Sequence, residues 1–156
     1  MPIKSYNRIS ISKDTYNYQY EIKNRIDKEK FRDFVNANKN YFNWYEETDE
    51  GKNVLANIDS FLHKEGRLIS LNQNMAMAHY KQNLGYYGLN VSFNNKFGEI
   101  SINFNNSKIT PDVLEILLEM AEYCEAMLLI NGKKPITKEF IEKEKNELED
   151  KKNKKK

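Results

Sequence analysis

The two histidines and the single cysteine are the residues best suited to nucleophilic or metal chemistry, and their positions argue against both. His63 follows Leu62 near the end of a predicted helix, and His79 lies beside Tyr80 in a predicted strand. Cys124 falls on the apolar stripe of another helix, where a thiol packs as a small hydrophobic group. Nucleophilic catalysis needs an activating base, and zinc needs ligands at characteristic spacings. The sequence therefore predicts no catalytic residue, no metal ligand set and no cofactor.

Paired carboxylates are a second source of chemistry, because they can serve acid–base catalysis or bind a divalent cation. They lie in one run that passes abruptly from aromatic to acidic: Trp44, Tyr45, Glu46, Glu47, Thr48, Asp49, Glu50 and Gly51. This run lacks the alternating Asp/Asn pattern of a calcium loop. Three interpretations stay open for it: a solvated helix N-terminus, an acidic patch that binds a protein, and a metal or acid–base site.

The charge of the chain is unevenly distributed. The 25 Lys and Arg residues exceed the 23 Asp and Glu residues by two, but residues 133–156 alone contain ten Lys against six acidic residues. The body before residue 133 thus has 15 basic and 17 acidic residues, a net charge of −2. A mildly acidic body predicts no nucleic-acid-binding surface, which needs a clustered basic face. No stretch approaches the length of a membrane span, and we expect a cytoplasmic protein.

The N-terminal segment shows period-2 alternation typical of a strand with one buried face. Tyr16, Tyr18, Tyr20 and Ile22 alternate with polar residues, and Ile9 with Ile11 predicts a partner strand. The clearest sheet pattern spans residues 75–104, where apolar and polar residues alternate on both sides of the turn at 94–98. We predict a three-stranded meander there.

Four helices are predicted from apolar stripes and capping residues. The first is capped by Asp27 and carries Phe31, Phe34 and Val35; the second is capped by Thr48, carries Val54, Leu55, Ile58, Phe61 and Leu62, and stops at Gly66. The third opens at Thr110 and Pro111, with Glu115, Glu119 and Glu122 on its outer side, and the fourth follows Thr137. Leu128 to Ile130 either extend the third helix or form a short strand.

These elements predict an α+β fold, in which a small antiparallel sheet that includes the meander is covered on one face by two or three helices. A chain of 156 residues suits one domain. We predict that domain over residues 1–142, followed by a lysine-rich tail, residues 143–156, as a frayed helix or a disordered segment.

Several short strings together resemble the small immunity proteins of bacterial polymorphic-toxin systems, over roughly residues 27–142. They are the run from Trp44 to Gly51, Tyr86-Tyr87, Val91-Ser92-Phe93, Ile109-Thr110, Met120-Ala121-Glu122-Tyr123 and Leu128-Leu129-Ile130-Asn131-Gly132. The resemblance implies a protein without enzymatic activity that binds a cognate toxin in the cytoplasm and covers its active or activation surface.

The predicted contact residues for such a partner fall into two groups. The first is the aromatic-to-acidic run, namely Trp44, Tyr45, Glu46, Glu47, Asp49 and Glu50; the second is the acidic stripe Glu115, Glu119 and Glu122. The competing interpretation of Trp44 is core packing, and that of the acidic stripe is a solvated helix face. Two other functions stay open: a phage-encoded inhibitor of a host defence protein, and a small enzyme or metal protein using residues 46–50. We expect no membrane partner, and a homodimer stays open.

Overall fold

A computed structural model describes residues 3–4, 7–60, 71–105 and 108–154. Within these ranges the chain has an α+β fold with seven antiparallel strands in the order β2-β3-β4-β5-β1-β6-β7. The strands are β1 Ile9–Ser12, β2 Asn43–Trp44, β3 Met75–Lys81, β4 Tyr86–Asn94, β5 Glu99–Phe104, β6 Met127–Ile130 and β7 Lys134–Pro135. The described α-helices are α1 Lys28–Ala37, α2 Asp49–Ala56, α3 Pro111–Tyr123 and α4 Lys138–Lys154. The predicted fold class is confirmed.

The meander of β3, β4 and β5 is confirmed, with Val91 paired to Ala76 on one side and to Ile102 on the other. Leu89, Val91 and Phe93 are buried on the same face of the sheet, as the alternation predicts. The β4–β5 turn is held by the Asn94 side chain, which accepts the N–H groups of Lys96 and Phe97 at 2.9 and 3.1 Å. Local side-chain bonds of this kind favour Asn in turns.

Helices α1, α3 and α4 cover one face of the sheet and enclose the main core. Their N-termini are capped as predicted, because Asp27, Thr110 and Thr137 each accept a backbone N–H group from the first turn. The helices contribute mainly large apolar side chains to this core, including Phe31, Phe34, Val35, Val113, Leu114, Leu117, Met120 and Ile141. The main core therefore lies between this helix layer and the sheet.

The opposite face of the sheet is not left open. Beneath α2, a smaller cluster of Tyr45, Val54, Leu71 and Met77 covers the β3–β4 end. The second helix is shorter than predicted, because α2 ends at Ala56. Leu55 lies within α2 but faces solvent rather than the core. The predictions for Phe61, Leu62, His63 and Gly66 lie outside the described residues.

The predicted strand over Tyr16 to Ile22 is wrong. This segment is a loop that contains one 3-10 turn, Gln19–Glu21, and β1 pairs instead with β5 and β6. The cause is local hydrogen bonding: the Asp14 carboxylate accepts N–H groups of Lys23 and Asn24, each at 2.8 Å. Glu21 accepts those of Asn17 and Tyr18 at 2.9 and 2.7 Å. Side chains thus take up N–H groups that a strand would offer to its neighbour.

The C-terminal part resolves one alternative left open by the sequence. Leu128 to Ile130 belong to strand β6, because the chain leaves α3 through Glu125, whose φ is 54°. Helix α4 runs without interruption from Lys138 to Lys154, so the boundary predicted after residue 142 falls inside it. No helix among the described residues is long and apolar enough to span a bilayer.

Candidate functional site

A groove of about 310 Å³ lies between α3 and α4, and we call it the α3–α4 groove. It is lined by four carboxylates, two apolar side chains and one lysine: Glu115, Glu119, Glu122, Glu142, Leu118, Ile141 and Lys138. The spacing of the three α3 glutamates places them along one side of the helix, one turn apart. The structure thus brings the predicted acidic stripe to the rim of a partly apolar depression.

The carboxylates of the α3–α4 groove differ in their partners. Glu115 accepts a hydrogen bond from the ammonium group of Lys145, which raises the pKa of Lys145. The same ammonium group lies 3.9 Å from Glu142. Glu119 and Glu122 have no ion-pair partner in the described part of the chain. The groove therefore keeps a negative charge that is only partly compensated.

The groove continues toward the β6–β7 edge of the sheet. A second depression of about 400 Å³ shares Leu118, Glu122 and Lys138 with it and is lined further by Ala126, Met127, Leu128, Pro135, Ile136, Thr137 and Glu139. The two depressions are neighbours; the first is acidic along α3 and the second is more apolar toward β7.

The aromatic residues of the run that starts at Trp44 are core residues. Trp44 is only 2% exposed; its indole N–H donates to Asn36 at 2.8 Å, and its ring packs edge-on against Phe31 at 5.7 Å. Tyr45 is also buried, in the cluster beneath α2. The core-packing interpretation of Trp44 therefore describes this structure, and a partner that met this segment would contact its carboxylates first.

Two carboxylates of this run already have structural bonding partners. Glu46 accepts the N–H group of Gln73 at 3.0 Å, and Glu47 accepts that of Trp44 at 3.2 Å. Glu47 also pairs with the ammonium group of Lys39, which holds the pKa of Glu47 below its usual range.

The remaining part of the run is the start of α2. Thr48 caps the helix by accepting the N–H group of Gly51 at 3.0 Å, as predicted, and Asp49 and Glu50 are exposed in the first turn. Carboxylates at this position interact favourably with the helix dipole. The two predicted acidic regions are not brought together, because α2 and α3 cover opposite faces of the sheet.

The histidine and the cysteine that the structure describes are both engaged in packing. His79 shares a hydrogen bond with the Tyr41 hydroxyl, and burial lowers the pKa of His79. Cys124 is fully buried, and burial raises the pKa of its thiol to about 11. A thiol with so high a pKa is a weak nucleophile at neutral pH, since the thiolate is the reactive form. Among the described residues, no three His, Cys, Asp or Glu side chains are grouped to hold a metal ion.

A feature that the sequence prediction missed is the loop over residues 13–24, which we call the tyrosine loop. It presents the rings of Tyr18 and Tyr20, which are 63% and 75% exposed. The two rings stack on each other in parallel, with centroids 5.5 Å apart. Only Glu21 gives a local signal for this loop, since it accepts the N–H groups three and four residues before it; Asp14 bonds residues nine and ten positions later, a spacing that no short-range pattern indicates.

The tyrosine loop is anchored to the sheet by a buried polar cluster. The buried Tyr16 hydroxyl bonds to the Glu99 carboxylate and to the Ser10 hydroxyl, and the Gln19 amide donates to Glu99. Glu99 is only 1% exposed, so this buried carboxylate depends on these partners. Burial and the bond to Glu99 raise the pKa of Tyr16 to about 12.

The turn between β6 and β7 supplies the other anchor of the tyrosine loop. The Tyr16 N–H group donates to the carbonyl oxygen of Gly132 at 2.7 Å. Gly132 has a φ of 74°, and a Cβ atom there would lie 2.5 Å from the Tyr16 carbonyl oxygen. Only glycine permits this close approach without displacement of the loop.

No family model, no curated protein and no solved structure matches the chain. Function therefore has to be inferred from the surfaces of the molecule itself. Two of them stand out: the acidic α3–α4 groove and the tyrosine loop.

Proposed function

We propose that the protein is a binding module that neutralises a cognate bacterial toxin by docking on it. The observation that carries this proposal is the α3–α4 groove, where Glu119 and Glu122 border the apolar side chains of Leu118 and Ile141. The resemblance of the chain to immunity proteins of polymorphic-toxin systems supplies the class of partner.

The chemistry of the groove favours a basic, partly apolar segment as its ligand. Leu118 and Ile141 offer apolar surface for burial, and the surrounding carboxylates suit Lys or Arg side chains. Enzymes that cut nucleic acids carry basic clefts for the phosphate backbone. An acidic protein surface that enters such a cleft speeds encounter by charge complementarity and excludes the substrate.

The acidic run over residues 46–50 supports a metal or acid–base site less well. Glu46 and Glu47 accept backbone N–H groups, and Glu47 also pairs with Lys39. Asp49 and Glu50 lie where carboxylates stabilise a helix N-terminus. An inhibitor encoded by a phage would use the same acidic groove, so the choice of target depends on genomic context.

The test is co-purification with the product of the gene immediately upstream, followed by titration of the purified pair. We expect a stable complex and loss of toxicity when both genes are expressed. The variant Glu119→Lys with Glu122→Lys should lower the association rate about 10-fold to 100-fold, because steering by complementary charge contributes on that scale. Stopped-flow fluorescence at low ionic strength measures the rate.

The matched control carries the same change of charge on the opposite face of the sheet, as Asp49→Lys with Glu50→Lys. We expect it to retain an association rate within a few-fold of the natural protein. If the upstream product is not toxic, or is toxic but neither binds this protein nor is neutralised by it, the proposed function is wrong. Equal effects of the two double variants would show that the groove is not the contact surface.

A further inference from the structure

The C-terminal end of helix α4 combines basic and apolar side chains, and we call it the lysine end. It consists of Leu148, Lys151, Lys152 and Lys154, and all four side chains are exposed. Its three lysines have no ion-pair partner in the described part of the chain. The helix dipole favours lysines at this position, but it does not account for a leucine beside them that is 44% exposed.

Helix α4 holds the lysine end away from the α3–α4 groove of its own chain. Helices α3 and α4 run antiparallel, since Lys145 pairs with Glu115, whereas Leu148 and Pro111, the first residue of α3, line another depression. At 1.5 Å per residue, Lys152 lies about 15 Å beyond the part of α4 that lines the groove. Because α4 is continuous, its lysine end cannot turn back into that groove and is available to another molecule.

The groove and the lysine end have complementary chemistry. Four carboxylates and one lysine line the groove, and the exposed Glu119 and Glu122 lie beside the apolar side chains of Leu118 and Ile141. Such a site suits a basic segment that also carries an apolar side chain. The lysine end is a segment of this kind, with its leucine one turn from its first lysine.

Twofold symmetry allows two copies of the chain to form this contact twice. When two α4 helices lie side by side in antiparallel directions, the lysine end of each copy reaches toward the groove of the other. Closed twofold dimers are the commonest arrangement of identical subunits. A single contact would leave one groove and one lysine end open, whereas the closed dimer covers both.

We infer that the protein forms a reciprocal homodimer in which the lysine end of each copy occupies the α3–α4 groove of the other. The occupant is a second copy of this chain, so the contact forms without a toxin. The inference therefore goes beyond the proposed function and gives the groove a second ligand. A toxin that binds the groove has to displace the second copy, and the two compete by mass action.

The first experiment measures dimerisation of the full chain by sedimentation equilibrium at about 0.05 M salt, where surface charges are only weakly screened. The natural chain is compared with the groove variant, Glu119→Lys with Glu122→Lys, and the end variant, Lys151→Glu with Lys152→Glu. We expect the natural chain to dimerise. Each variant alone should dimerise at least about 10-fold more weakly, because like charges then face each other in both contacts.

Mixing the two variants is the decisive step. A heterodimer of the groove variant and the end variant again places opposite charges at both contacts. We expect it to form with an affinity within about 3-fold of the natural dimer, since specificity then follows the pairing of charges. Such rescue would also show that both variants are folded, and circular dichroism of each protein checks this independently. If the mixture stays monomeric while both variants are folded, the inference is wrong.

The matched control separates the docking contact from attraction by net charge. The double variant Asp49→Lys with Glu50→Lys has the same net charge as the groove variant but is changed at the start of α2, on the opposite face of the sheet. Mixed with the end variant, it restores only one of the two contacts, and we expect association at least about 5-fold weaker than that of the rescued pair. Equal association of the two mixtures would overturn the inference.

The outcomes also distinguish this inference from the proposed function. A natural chain that stays monomeric up to about 0.5 mM, yet binds the upstream gene product, would overturn the inference and leave the proposed function intact. A dimer that passes the mixing test while the upstream product does not bind would support the inference, although the proposed function fails. Where both hold, titration with the upstream product should convert the dimer into a complex with one copy of each protein.

Discussion

The helix-covered face of the sheet and the β5–β1 end of its other face are closed by different kinds of interaction. On the helix-covered face, apolar side chains of α1, α3 and α4 pack against Ile9, Val91 and Ile100. On the other face, the β5–β1 end is closed by the tyrosine loop through Glu99, Tyr16 and Ser10. The first closure depends on apolar area and tolerates exchange of one hydrocarbon for another. The second depends on a few directional bonds, each of which leaves a buried polar atom unpaired if it is removed.

The largest expected effect breaks the helix-covered face. Phe31 is fully buried and contacts the rings of Trp44 and Phe93, so Phe31→Ala should lower the free energy of unfolding by about 3–5 kcal/mol. Urea denaturation followed by circular dichroism measures it. The exposed Leu55 provides the control, since Leu55→Ala should change stability by less than about 0.5 kcal/mol. A loss below about 1 kcal/mol for Phe31→Ala would contradict the assigned core.

A smaller effect is expected where the loop closes the sheet. Tyr16→Phe keeps the ring but removes the hydroxyl that bonds to Glu99 and Ser10. We expect a loss of about 1.5–3 kcal/mol, because hydrogen bonds to charged groups contribute on that scale. Tyr18→Phe, which changes an exposed hydroxyl in the same loop, is the matched control and should be near neutral. Equal stability of Tyr16→Phe and the natural chain in urea would show that the polar cluster does not hold the loop.

The smallest expected effect is a pH dependence that belongs to the loop-covered face. The pKa of Tyr16 is raised to about 12, whereas an unfolded tyrosine titrates near 10. The folded state therefore holds this proton more tightly, and its stabilising contribution is complete below about pH 10 and is lost as the pH rises to about 12. Denaturation midpoints at pH 9, 10 and 11 should fall less steeply for Tyr16→Phe than for the natural chain. Tyr41 and Cys124, whose pKa values are also raised, are common to both proteins and cancel in the difference. Parallel slopes would contradict the cause assigned to the shift.

The parts of the fold that could be predicted from the sequence are those set by short-range signals. The meander and the helix caps at Asp27, Thr48 and Thr110 depend on signals within a few residues, such as alternation, a capping oxygen or a proline at the first helical position. These predictions are confirmed. The acidic stripe Glu115, Glu119 and Glu122 was predicted in the same way, from helical spacing, and it does line a groove.

The features that could not be predicted depend on residues distant in sequence. Tyr16 and Glu99 are separated by 83 positions, and no periodicity indicates that one will bury the other. The alternating tyrosines predict a strand because Tyr is a strong strand former, but the bonds from backbone N–H groups to Asp14 and Glu21, together with the burial of Tyr16 against Glu99, outweigh that preference. Trp44, whose core packing the sequence left open as an alternative, is buried in the main core, and its indole N–H donates to Asn36, eight residues earlier.

The ends of the sheet have a consequence for aggregation. The outermost strands β2 and β7 are two residues long, and β7 ends at Pro135, which has no N–H group. Beyond the stretch paired with β2, the outer side of β3 is interrupted at His79, whose φ is 59°. Long, regular strand edges are templates on which other chains add by backbone hydrogen bonding. Within the described residues this sheet presents short and irregular edges, which disfavour edge-to-edge addition of further chains.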